Sequence, residues 1–210
     1  MGRVIVNNAV GIDKAINSIQ DSLIKSLFTD KGCNAGWNED GFELYHKAYK
    51  NPTEKGVVPE TYTQNSTNQR DYQEVLLNDN KTSTVFFTVD DTLPFTNENK
   101  IEANVSIFFQ LNIEEIYDDL DYRQVEPSHN DVIRALRGCA AVKNIDQLVQ
   151  TIPLVYSEFR TGNIQYDDMQ PYHVFRVDVT VDVDYDCQYY CQFPPSTSGG
   201  FDYILNFILN

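Results

Sequence analysis

The stretch VDVTVDVDYDCQYYC, residues Val177–Cys191, alternates apolar and polar side chains over most of its length. Val177, Val179, Val181 and Val183 hold the odd positions, while Arg176, Asp178, Thr180, Asp182, Asp184 and Asp186 hold the even ones. Successive strand side chains point to opposite faces, so the pattern predicts a long strand with one core face and one acidic face. Asp182, Asp184 and Asp186 then stand roughly 6.8 Å apart in steps of two. Like charges along one face cost stability, so such a row marks a selected surface property.

A calcium loop would explain DVDYD, but its sixth position is Cys187 instead of Gly and its twelfth is Phe193 instead of Glu. An irregular cation site using Asp167, Asp168 and these aspartates is the minor reading, and a solvated or channel-facing strand surface is the main one. No metal and no cofactor is assigned. Carboxylate pairs drawn from Glu114, Glu115, Asp118 and Asp119 are cheap among 31 acids, and nothing supplies the raised-pKa setting of a general acid. His46, His129 and His173 are isolated in sequence, without HExxH or two- or four-residue spacing. A zinc site from Cys187, Cys191 and His173 is weak, and His129, near a helix start, reads as a surface residue. There is no GxSxG, and Gly199-Gly200 is a hinge candidate instead of a phosphate cradle. A non-enzymatic role is expected.

The 210 residues suffice for one α+β domain, 1–210, and 41% hydrophobic content with 12 Phe and 13 Tyr excludes global disorder. A formal charge of -15 without a basic cluster argues against a groove-reading DNA binder. Cys33, Cys139, Cys187 and Cys191 contain no CxxC pair. In a strand, Cys187 and Cys191 lie about 13 Å apart, too far for a disulfide, so the cysteines are expected free, mostly buried and in a reducing compartment. MGRVIVNNAVGID lacks an apolar signal region and departs from a myristoylation pattern at Val6, and no run reaches membrane-spanning length.

Residues 11–28 predict the clearest helix, with Ile12, Ala15, Ile16, Ile19, Leu23 and Leu27 on one stripe. Phe42, Tyr45, Ala48 and Tyr49 permit a short helix ending at Asn51-Pro52. Residues 51–80 read as an inserted loop or arm carrying short strands around Val57, Val58, Tyr62 and Val75–Leu77. TSTVFFTVDD and IEANVSIFFQLN, separated by the polar TNENK, predict a long antiparallel hairpin. PSHNDVIRALRG predicts a helix capped by Ser128 or Asn130 and stopped at Gly138, with Val132, Ile133 and Leu136 inward. KNIDQLVQ predicts a second central helix, and Val155–Phe159 a short extended piece. The expected architecture is a small antiparallel or mixed sheet, packed by an N-terminal helix and two central helices.

This order resembles the tail-terminator, tail-completion and neck-ring (head-to-tail connector) proteins of tailed phages. The matching parts are Ile12–Phe28, Thr82–Asn112, Val132–Val149 and the passage GNIQYDDMQPYHVFRVDVTVDVDY. The Asn- and Tyr-rich, Lys-poor texture is similar to proteins of large gut phages, including the crAss-like group. The resemblance implies a structural homo-oligomeric ring of 6 or 12 subunits in the virion, assembled in the host cytoplasm. Such a ring joins adjacent neck or tail proteins and seals the channel for double-stranded DNA, without tight DNA binding and without a membrane. Asp178, Asp182, Asp184 and Asp186 become candidates for a lumen or interface face. The C-terminal segment 195–210, with Phe201, Tyr203, Ile204, Phe207 and Ile208, becomes a candidate intersubunit arm. The alternatives are an intracellular non-enzymatic protein-binding domain and a baseplate or capsid accessory protein.

Overall fold

The structure, a computed structural model, describes residues 2–29, 37, 41–54, 56–63, 71–75, 82–90, 95–97, 100–117, 125–160 and 172–184. The chain enters through β1 (Gly2–Arg3) and an extended segment leading to α1 (Ile12–Ile24), which widens into a π-helical turn over Lys25–Thr29. The expected stripe is the buried one: Ala15, Ile16, Ile19, Leu23 and Leu27 are all buried, and Ile12 packs at its margin. Burying each large aliphatic side chain contributes about 1.5–3 kcal/mol, so this stripe, more than helix propensity, holds α1 in place.

β2 (Phe42–Thr53) stands where a short helix was expected. Phe42, Leu44, His46 and Ala48 are buried in alternation, a period of two that the aromatic spacing of Tyr45 and Tyr49 obscures. Opposite β2 the register slips between Leu44 and Lys47, so the strand carries a bulge at Tyr45–His46. β3 (Gly56–Thr63) and β4 (Asp71–Glu74) follow as antiparallel strands along the second half of β2 and its neighbour. Asn51 and Pro52, expected to end a helix, lie in the β2–β3 ladder opposite Val58 and Val57.

β5 (Ser83–Val89), the short β6 (Phe95–Asn97) and β7 (Lys100–Asn112) form the expected hairpin, with β5 and β7 in register from Ser83↔Leu111 to Val89↔Val105. One turn of helix, α2 (Ile113–Ile116), is capped by Asn112, whose side chain accepts from the Glu115 N–H. α3 (Glu126–Arg137) is the expected central helix and ends at Gly138. Its cap differs: Val125 holds the N-cap position, and Ser128 donates its hydroxyl back to the Val125 carbonyl.

The second expected central helix is a strand, β8 (Val142–Val149). Register slips between Val142 and Asn144 and again between Ile145 and Gln147 insert two bulges. Each extra residue stretches the inward spacing from two to three, which places Val142, Ile145 and Leu148 against the core and mimics helical periodicity. A further correction falls at residues 152–159, where a helical turn, α4 (Ile152–Val155), and tight turns replace the expected extended piece. β9 (Tyr172–Asp184) is the opening strand.

The main strand order is β4-β3-β2-β5-β7-β9-β8, with β1 parallel to β2 and β6 paired to β7. The nine strands make a larger sheet than expected; it is mixed, because β2 and β5 run parallel. Its two faces bury separate clusters. α1 and α3 cover Leu44, Val85, Ile107, Phe109, Phe175, Val177, Val179 and Val181. On the opposite face the α4 segment covers Phe86, Phe108 and Val174, with Phe86 and Phe108 stacked at 4.6 Å.

Candidate interaction face of the sheet

α4 covers the lower half of its side of the sheet, around Phe108 and Val174, and leaves the upper half of β7, β9 and β8 to solvent. Odd residues of β9 enter the core, so Arg176, Asp178, Thr180 and Asp182 line this open face, as the alternation predicts. The register sets Asp178 beside Ser106, Thr180 beside Asn104 and Asp182 beside Glu102.

These side chains form a connected hydrogen-bond layer. Asp178 accepts from Ser106 at 2.6 Å, from Gln147 at 2.5 Å and from Arg176 Nη2 at 3.1 Å. Arg176 Nε also lies 2.9 Å from the Asp178 carboxylate, an ion-pair contact whose N–H points off the oxygen and makes no hydrogen bond. The Arg176 Nη1 group donates to the Leu154 and Val155 carbonyls, tying α4 to the sheet. Thr180 donates to Asp146 at 2.8 Å, and Asn104 donates to Asp90 at 3.0 Å. Lys143 reaches both Glu102 and Asp182, and its hydrogen bond to Glu102 is the main cause of its raised pKa. Among the described side chains, Asp90, Glu102, Asp146, Asp178 and Asp182 share this layer with the two cations Arg176 and Lys143, and hydrogen bonds hold the carboxylates in place.

The four candidate aspartates are not equivalent. Asp178 is only 16% exposed and acts as the anchor of the layer, whereas Asp182 is 38% exposed and reaches outward. Asp184 is the backbone partner of Lys100 in the β7–β9 ladder. Asp186 lies outside the described residues, as do Phe201, Tyr203, Ile204, Phe207, Ile208, Asp167, Asp168, Cys187, Cys191 and Gly199-Gly200. Among the described residues no three His, Cys, Asp or Glu side chains converge on a metal position, and no helix is long and apolar enough to cross a membrane. Cys139 is buried with a free thiol, as expected.

A second feature lies at the other end of the sheet. A cleft of about 390 Å³ runs between the extended segment Val4–Asn7 and the strands β2, β3 and β4. Tyr49, Tyr62 and Tyr72 share its wall, half-exposed, with ring centroids 6.0 and 5.7 Å apart. Lys47 lies 5.1 Å over the Tyr49 ring and 3.8 Å from Asp13. His46, in the β2 bulge, is buried with no partner for Nε2, and burial lowers its pKa.

The third feature overturns the reading of His129 as a surface residue. His129 is buried in the first turns of α3, and its Nε2 lies 2.8 Å from the Nε2 of His173 on β9. Burial lowers the pKa of both, and for His173, pushed down to about 4, the His129 ring adds to it. Forty-four residues separate the two, so no local spacing shows the pair. Its only sequence signal is that each starts an element of the same core face. Two residues further along α3, the buried Asp131 accepts from Trp37 and Tyr117 and pairs with Arg134.

No protein-family model matches the chain, and no curated protein matches it.

Proposed function

We propose that the chain is a structural subunit of a homo-oligomeric ring of 6 or 12 copies in the head–tail junction or tail end of a tailed-phage virion. In that role it joins neighbouring neck or tail proteins and seals the channel through which double-stranded DNA passes. The observation that carries the reading is the open acidic layer on β7, β9 and β8, five carboxylates against two cations among the described side chains. Carboxylates fixed by Ser106, Gln147, Thr180 and Asn104 repel phosphate without rearranging. A surface of that kind lets a polyanion slide past without adhering. The overall charge of -15 acts in the same direction.

The tyrosine cleft favours a second reading, a protein-binding domain, because half-exposed tyrosines are the side chains that dominate binding hot spots. Light scattering separates the two. A ring of six copies of the 24.1 kDa chain has a mass of about 145 kDa and a ring of twelve about 289 kDa. The ring reading predicts one of these masses at low and moderate salt. A monomer across the whole concentration range contradicts it and leaves the binding domain.

A further inference from the structure

We infer that His129 and His173 form a binding site for a divalent transition metal ion of the zinc type, held by their two Nε2 atoms. The two nitrogens converge at 2.8 Å, from a helix on one side and a strand on the other. A zinc ion bonds imidazole nitrogen at about 2.0–2.1 Å, and a tetrahedral angle at the metal then sets two nitrogens about 3.4 Å apart. The pair needs to open by only about half an ångström to reach that spacing. Both rings rest on an aromatic floor. His129 meets Phe175 edge-on with centroids 4.7 Å apart, His173 stacks on it at 5.4 Å, and Phe175 stacks on Phe109 at 4.8 Å. That floor fixes the ring planes, so the site is preorganised on its protein side.

The alternative occupant of the gap is a single proton, one imidazole donating N–H to the lone pair of the other. Metal binding replaces it at the same atoms: the donating ring moves its proton from Nε2 to its own Nδ1. Both Nε2 lone pairs then face the ion, and no net proton is released. The negative charge of Glu126 acts on His129 and favours a cation there. Two imidazoles suit zinc, cobalt or nickel and not magnesium or calcium, which prefer oxygen. Water would have to complete the coordination, and the ion would clip α3 to the start of β9.

Thermal unfolding with zinc chloride, against magnesium chloride, tests the site. At about a hundred times its dissociation constant, zinc is expected to raise Tm by roughly 5–10 °C, with one ion per chain by calorimetry. Magnesium is expected to do nothing. His129→Gln and His173→Gln are each expected to lose the shift, and Cys139→Ser to keep it. Should the glutamine variants fail to fold, the unmodified protein still decides through the absorption of its cobalt complex. Ligand-field bands without thiolate-to-cobalt charge transfer support the histidine site. Thiolate bands would place the metal on cysteine, and absence of any zinc-dependent shift would leave only a shared proton; either result overturns the inference.

Discussion

At the scale of single residues, the acidic strand holds two kinds of aspartate. Asp178 completes the pairing of a poorly exposed guanidinium, and removing it leaves the Arg176 charge half-desolvated and frees Ser106 and Gln147. Asp178→Ala is therefore expected to destabilise by about 2 kcal/mol in urea unfolding. Asp182→Ala removes a contact to an exposed lysine and is expected to leave the urea midpoint unchanged. Equal effects would show that the burial difference between the two has no energetic meaning. His46 gives a pH prediction. Its folded pKa is lowered by burial, against the raising effect of Asp13 from α1 and with smaller lowering effects of Lys47 and of Arg3 from β1. A lowered base must be charged inside the protein in acid, so its contribution to stability is full above the ordinary value of 6.5 and falls away below it. His46→Gln is expected to lose less stability than the unmodified protein between pH 7.5 and pH 5, measured by urea midpoint. An identical pH dependence would contradict the assignment.

At the scale of elements, α1, the β5–β7 hairpin, α3 and β9 were legible because each repeats one period without interruption. β9 shows it best: four valines at 177–183 are buried and the residues between them are not. β2 and β8 imitate helices for different reasons. In β8 two bulges each advance the chain by one residue without advancing the ladder, so apolar residues fall three apart. In β2 the buried residues stay two apart, and the four-residue spacing of Tyr45 and Tyr49 carries the helical look. The extra signal in KNIDQLVQ is its length, which is too short to stand alone as a helix. Of the candidate face, Asp178 and Asp182 were legible from alternation alone. Its partners Ser106, Gln147, Lys143 and Asp146 were not, because strand register is set by tertiary pairing. Element packing makes its own predictions. Ile19 is fully buried in α1, and Ile19→Ala is expected to cost about 2–5 kcal/mol. Gly41 precedes β2 so closely that an added Cβ would lie 2.6 Å from the Thr82 Cβ and nearer still to its hydroxyl. Gly41→Ala is expected to cost about 1–3 kcal/mol, whereas Gly2→Ala, whose nearest neighbour is 3.6 Å away, is expected to be neutral. Urea unfolding of the three variants checks both contacts.

At the scale of the whole molecule, the sheet divides its tasks by face and by end. One face is closed by α1 and α3, the other is half closed by α4 and half left as a fixed acidic layer, and the tyrosine cleft lies at the β4 end. In the proposed ring, this division would give each subunit one surface for a charged lumen and another for protein contacts. The most direct test of that account is negative-stain electron microscopy of the purified chain with rotational analysis of single particles. The account predicts closed rings of six or twelve subunits around an open centre. Solid particles, or isolated subunits at every concentration imaged, would contradict it.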